Sequence, residues 1–313
     1  MPLIAKVDLV GVGLNATDTL IPLAAFPARG SKTEYEQERV MPGGQVASAM
    51  VACQTWGLST RYVGKLGDDD GARLHERAFE QVGVEARLIH VAEAASPRSL
   101  ILVDQQGERT VLCRKDERLV LRPEDLEREW IVNARALLVD GHDTAAATQA
   151  AQWAREAGVV VVADLDEPYA GVEALLERID CLIVSRDFPC RMMQEPDLHE
   201  ALKKMQARYG CRLTAATLGE QGVLAWDGER FYASAAYRVP VVDTTGAGDI
   251  FHAGFLYALL QGWPLQRQLD FACAAAAMNC TGEGARGGIG PVEKIEEMMR
   301  DDERYPQPDC LQL

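Results

Sequence analysis

Apolar residues in this chain gather in short runs, and the period within and between the runs predicts the elements. Val7-Asp8-Leu9-Val10-Gly11-Val12-Gly13 reads as a strand ending in glycine. Small and apolar residues after Gly43-Gly44 predict a helix over about 45–56, stopped at Gly57. A strand over about 60–66 and a helix over about 70–82 follow. Beyond these, the runs 136–139, 159–162 and 181–184 are almost wholly apolar, as strands covered on both faces of a parallel sheet must be. Helical stretches near 145–157 and 172–178 separate them. Helices over about 247–261, 265–280 and 292–300 complete an α/β alternation with a mostly parallel sheet.

Two segments break the rhythm. Residues 19–40 hold the polar run Thr33-Glu34-Tyr35-Glu36-Gln37-Glu38-Arg39-Val40, with Pro22, Pro27 and Gly30 nearby. Residues 98–114 read as a hairpin turning at Gln105-Gln106-Gly107. The two are expected to pair as a small sheet standing off the main body, a lid or a dimer surface. With no linker-like run and no repeat, the expectation is one domain over 1–313, with a β lid formed by about 16–41 and 97–117.

Ligands of open α/β sheets bind beyond the carboxyl ends of the strands. Those ends here carry Asn15 and Asp18, then Asp140, His142 and Asp143, then Asp164 and Asp166, then Ser185, Arg186 and Asp187. Each alone could be a helix cap or turn former. As a set they mark a functional rim. His142 and His252 taken singly read as satisfied polar residues.

Composition narrows the choice. A formal net charge of −15 over 313 residues lacks the clustered Lys and Arg that nucleic acid requires. It does not exclude ATP, whose phosphates backbone N–H groups can hold. The eight cysteines show no CxxC spacing and no accompanying His pair, so they read as reduced thiols, mostly in the core. No signal peptide and no stretch of ~20 apolar residues is read, which predicts a soluble, cytoplasmic protein.

The chemistry concentrates in Val241-Val242-Asp243-Thr244-Thr245-Gly246-Ala247-Gly248-Asp249-Ile250-Phe251. An apolar pair enters a tight loop that opens directly into a helix. Gly246, Ala247 and Gly248 stand where first-turn N–H groups and the positive dipole end point outward, a cradle for phosphate oxygens. A carboxylate beside such a cradle repels the ligand unless it has work to do. Accepting the proton of an attacking hydroxyl is such work, and it falls to Asp249.

The segment Asp243–Phe251 resembles the second signature of the ribokinase-like (PfkB) carbohydrate kinase family. Pro42-Gly43-Gly44 with its small-residue helix, and Gly64-Lys65-Leu66-Gly67-Asp68-Asp69-Asp70-Gly71, resemble the first signature region. Thr217-Leu218-Gly219-Glu220-Gln221-Gly222 is similar to the family's nucleotide-side turn, and 280–289 to its late adenine and cation loop. Within the family, Cys280, Gly284, Gly288-Ile289 and the 98–118 segment look most like ketohexokinase and sulfofructose kinase members.

The resemblance implies a three-layer α/β/α fold and an ATP- and Mg2+-dependent sugar kinase. It places the base on Asp249 and the anion hole on Gly246, Ala247 and Gly248. Sugar contacts fall on Asp18, Gly43 and Gly44, with Asn15, Gln45, Ser48, Asp140 and the lid residue Arg109 as further candidates. Nucleotide contacts fall on Ser185, Thr217, Gly219 and Gly222, with Asn279 and Gly282 at the adenine. A monovalent cation, possible K+ in the family's manner, would involve Asp243 and Thr245, and the lid would join a homodimer. Three departures stand out. Gln45 and Ser48 replace two asparagines, Ser185-Arg186-Asp187-Phe188 replaces an Asn-x-x-Glu motif, and Asp140-Gly141-His142-Asp143 offers carboxylates where a sulfonate would need an arginine. The acceptor is expected to be ketohexose- or ribose-like. A non-catalytic sugar or nucleotide sensor and a nucleoside kinase are the alternatives.

Overall fold

The computed structural model describes residues 7–105 and 109–306. Among them, nine strands form one sheet in the order Phe231–Ser234, Val223–Trp226, Leu213–Thr217, Cys181–Ser185, Val160–Leu165, Ala136–Asp140, Leu9–Val12, Thr60–Leu66, Glu85–His90. The last seven run parallel, and the first two close one edge as an antiparallel pair.

The apolar runs explain why the sheet sits in the middle. Along Ala136–Asp140, Ala136 and Leu138 face one core while Leu137 and Val139 face the other. Cys181 and Ile183 divide from Leu182 and Val184 in the same way. Period two within a wholly apolar run demands cover on both sides. Helices Gln45–Thr55, Ala247–Leu260, Leu265–Asn279 and Val292–Asp301 supply it on one face. Thr144–Glu156, Val172–Leu176, Phe188–Met193 and Leu198–Tyr209 supply it on the other. The result is three layers.

Glu85–His90 and Leu198–Tyr209 lie where the sequence pattern predicts nothing. The first is an edge strand, pairing only with Thr60–Leu66, and it keeps Glu85 and Arg87 in solvent reach. The second starts where Asp197 caps Glu200 N–H at 3.0 Å and buries Ala201, Leu202, Met205 and Tyr209 at helical spacing.

The two irregular segments do pair. Arg39–Gly43, Ala16–Pro22, Arg98–Val103 and Arg109–Arg114 form a second sheet in that order. Val40, Val111 and Leu112 on it are exposed. Cys113, on this sheet, is exposed rather than in a core. Among the described residues, no helix is long and apolar enough to cross a membrane.

Candidate active site

The loop before helix Ala247–Leu260 is held by its own carboxylate. Asp243 accepts the Thr245 N–H on Oδ1 and the Gly284 N–H on Oδ2, both at 2.8 Å, lashing the loop to the 280–290 turn. Gly246 follows at φ +75°, and a Cβ there would run into the Ala285 backbone. Only glycine takes that conformation at so close an approach. The chain then turns into the helix with Ala247 and Gly248 facing a cavity. Ala247 N–H closes the turn onto Thr244 O at 3.2 Å.

Asp249 stands half-buried in the first turn of that helix. Burial pushes its pKa up to about 7, helped by the Asp164 and Asp18 charges and opposed by His252 and Arg286. A carboxyl balanced near neutrality can take up a proton in one step and release it in another. Behind it, His252 is buried with Nδ1 at 2.8 Å from Gly248 O and 3.3 Å from Asp164 Oδ2, and Nε2 at 3.2 Å from Ile183 O. This fixes the ring against both the anion loop and the Val160–Leu165 strand. Asp164 itself is pushed well up by burial.

The opposite wall belongs to the small sheet and the start of helix Gln45–Thr55. Asp18 lies against Gly43 so closely that a Cβ there would overlap its carboxyl group. Burial raises Asp18 to about 6, against a Ser99 hydrogen bond and the Arg286 charge. Asn15 donates Nδ2 to Tyr62 Oη at 2.9 Å and to Lys65 O at 3.0 Å, which leaves its Oδ1 buried without a partner. Thr17 Oγ1 and Gln45 Oε1 are likewise buried and unpartnered. Ser48 accepts from Arg286 Nε at 3.1 Å, and Gly43 O accepts from Arg286 Nη2 at 3.0 Å.

Arg286 is the residue that sequence reasoning missed. It sits four residues beyond Gly282 in a glycine-rich turn, and nothing local announces that its side chain crosses to Gly43. No short-range pattern in the sequence could have found it.

A cavity of about 860 Å³ opens beside the anion loop. Thr217, Gly219 and Gly222 line it, together with Asp243, Thr244, Ala247 and Gly248. Apolar Val239, Val241, Ala277 and the ring of Phe251 form much of the rest. Tyr305 closes one side, because the C-terminal stretch is tied down by Tyr305 N–H to Ala236 O at 2.9 Å and by Arg304 to Asp270 at 3.1 Å. Leu20 and Arg39 of the small sheet close another, and Arg39 ion-pairs with Glu283.

Several expected contacts are corrected. Asn279 does not line this cavity; it is fully buried and donates Nδ2 to Thr245 O at 3.3 Å and Ala285 O at 3.2 Å, bracing the two loops. Gly282 packs against the backbone of Gly287 and Gly288 instead. Ser185 turns its hydroxyl onto Asp166 O at 2.8 Å and also lies off the cavity lining. Asp140 is buried, its Oδ2 accepting from Leu14 N–H at 2.6 Å and its Oδ1 from His142 N–H at 3.1 Å, so it braces the turn after the first strand and the turn after its own. Arg109 pairs with Val103 across the small sheet, and its side chain lies outside the described residues. Among the described residues no group of three or more His, Cys, Asp or Glu side chains could hold a metal ion.

Known proteins resemble the chain over most of its length. A family model described as pfkB family carbohydrate kinase matches residues 2–290. The chain is 25% identical over 284 residues to a 5-dehydro-2-deoxygluconokinase from Geobacillus thermodenitrificans, covering 82% of this chain and 84% of the relative. It is 28% identical over 288 residues to an ATP-dependent ribose-1-phosphate kinase from Halopiger xanaduensis, covering 90% and 94%. Arabidopsis thaliana ribokinase, solved with ribose and ATP, superposes with a TM-score of 0.81 at 22% identity over 94% of this chain and 99% of that one. The fold is ribokinase-like.

Proposed function

This chain belongs to the pfkB family of carbohydrate kinases, and from that premise we propose that it transfers the γ-phosphoryl group of ATP to a hydroxyl of a small ketohexose- or ribose-like sugar, with Asp249 as the base. The observation that carries the reading is the position of Asp249 in the first helical turn directly after the anion loop, within electrostatic reach of Asp18 and Arg286. ATP fits the cavity with its adenine among the apolar side chains and its phosphates toward Ala247 and Gly248. The sugar fits the wall of Asn15, Asp18, Gly43, Gly44, Gln45 and Ser48, whose unpartnered oxygens await hydroxyl donors.

In the reaction, Asp18 orients the acceptor and Asp249 takes the proton from its hydroxyl as the oxygen attacks the terminal phosphorus and ADP departs. The Gly246–Gly248 loop holds the transferred oxygens, and the small sheet excludes water. Among the described residues no cluster of carboxylates would seize Mg2+, so it would come with ATP, held by phosphates and water, and would neutralise charge there. Asp243 and the neighbouring Thr245 and Ala285 carbonyls form a donor set suited to a monovalent cation such as K+. The exposed apolar face of the small sheet suits a homodimer, and nothing in the site calls for nucleic acid.

An ADP-release assay over a sugar panel, with mass determination of the product and with potassium or tetramethylammonium as the only monovalent cation, tests the reading. Phosphorylation of at least one sugar, faster in potassium, is expected. Tight binding of a sugar with no turnover on any would replace the kinase with a sensor, turnover only on nucleosides would move it to a nucleoside kinase, and equal rates in both salts would remove the cation.

A further inference from the structure

Helix Val292–Asp301 lies beyond residue 290, where the match to the family stops, and the stretch after it runs back over the nucleotide cavity. Glu303 O accepts Arg238 N–H at 2.8 Å, and Tyr305 N–H donates to Ala236 O at 2.9 Å. Arg304 between them forms an antiparallel bridge with Tyr237. Its Nη1 donates to Ser234 Oγ at 2.8 Å, Asp270 Oδ1 at 3.1 Å and Ala235 O at 3.3 Å. Its Nε donates to Asp302 Oδ1 at 2.6 Å, and the guanidinium lies 4.1 Å from the Tyr237 ring. A terminal stretch left untied is poorly ordered. This one is pinned, and what it presents to the cavity is Tyr305.

The cavity has a direction. Cys273, Ala276, Ala277 and Cys280 line it from helix Leu265–Asn279 and its cap, spaced as one helical face. At 1.5 Å a residue, Cys273 and Cys280 stand about 10 Å apart along the axis. Cys280 marks the phosphate end, because its carbonyl accepts Val242 N–H at 2.8 Å and so joins the anion loop. Cys273 marks the other end, where its Sγ reaches Ser234 O at 3.7 Å. A nucleotide held by its phosphates at the first end must lay its base toward the second. There the wall is Ala236, Val239, Cys273 and Ala276, none of them charged, together with Tyr305. Arg238 lies over the Tyr305 ring at 5.3 Å and steadies it. Neither Asn279 nor Gly282 reaches the cavity, so neither is available to hold the base.

We propose that Tyr305 is the platform on which the nucleotide's base stacks, held in place by Arg304. The C-terminal stretch thereby supplies a wall of the base site from outside the part of the chain that matches the family. This rests on the ATP reading above and assigns the base contact within it.

Calorimetry on the full chain with Mg2+, using ATP and inorganic tripolyphosphate as ligands, tests this without knowledge of the acceptor. Tyr305→Leu keeps the bulk and removes the ring. It should raise the Kd of ATP by on the order of 10- to 100-fold, the range of a base stacked on an aromatic side chain. Tyr305→Phe should bind ATP as wild type does, because the ring face remains. Tripolyphosphate has no base, so its affinity, read by competition with ATP, should be the same in wild type and Tyr305→Leu. Unchanged ATP affinity in Tyr305→Leu would overturn the proposal and leave the kinase reading standing. So would an equal loss for tripolyphosphate, which would make the stretch a support of the anion loop. A loss in Tyr305→Phe as large as in Tyr305→Leu would move the contact to the hydroxyl and overturn stacking. A wild type that binds no ATP would remove the nucleotide reading itself, and this inference with it.

Discussion

The two halves of the site are built on different principles. The phosphate side is backbone: glycine at +75°, first-turn N–H groups, and a carboxylate spent on holding the loop. The acceptor side is side chains drawn from residues 15–18, 43–48 and 286, with a buried acid near a cation. Phosphate is the same in every such reaction, so a fixed cradle serves it. Acceptors differ, and side chains can be exchanged one at a time without rebuilding a loop. Asp249 sits on the seam and is the one titrating group both halves need.

The sharpest way to break this division is at the seam. Asp249→Asn should lower kcat by about 10²–10⁴-fold, the usual worth of a positioned base, while ATP still binds in calorimetry. A near-normal kcat would mean the proton leaves by another route. Next in size, Asp18→Asn should raise the acceptor KM by on the order of 10- to 100-fold and leave the KM for ATP alone. Equal changes in both would show that the halves are one unit.

The smallest effect is on stability. Because Asp249 is raised from 3.8 to about 7 in the fold, the folded state binds more protons than the unfolded chain between those values. Its contribution is therefore intact below about pH 4 and lost as pH rises through 7. Asp249→Asn should consequently melt higher than wild type at pH 8, by roughly 2–4 °C, the shift ~1 kcal/mol makes in a domain this large. The gain should vanish at pH 4. Catalysis runs the other way, and wild-type kcat/KM should climb as pH passes through about 7. A melting difference independent of pH would remove the burial argument.

Much of this was legible along the chain. The runs at 136–139 and 181–184 read as strands covered on both faces, and Asp243–Phe251 carried its loop, helix start and acid within nine consecutive residues. Glu85–His90 was not legible, because an edge strand with charges in solvent has no apolar run to betray it. Asn279 and Asp140 were placed on the ligands, yet the fold spends both on bracing loops. A polar residue near a site looks the same in sequence whether it meets a ligand or a backbone.

What the sequence determined alone was whatever depends on neighbours a few residues apart: the periods, the glycine turn and the acid at the helix start. Tertiary structure decided what depends on distance in space. Arg286 reaches Gly43 across 243 positions, and Asp18 titrates near 6 only because burial strips its water. Hydrogen bonds and desolvation act through space, so no local pattern records which distant residue will complete the acceptor pocket.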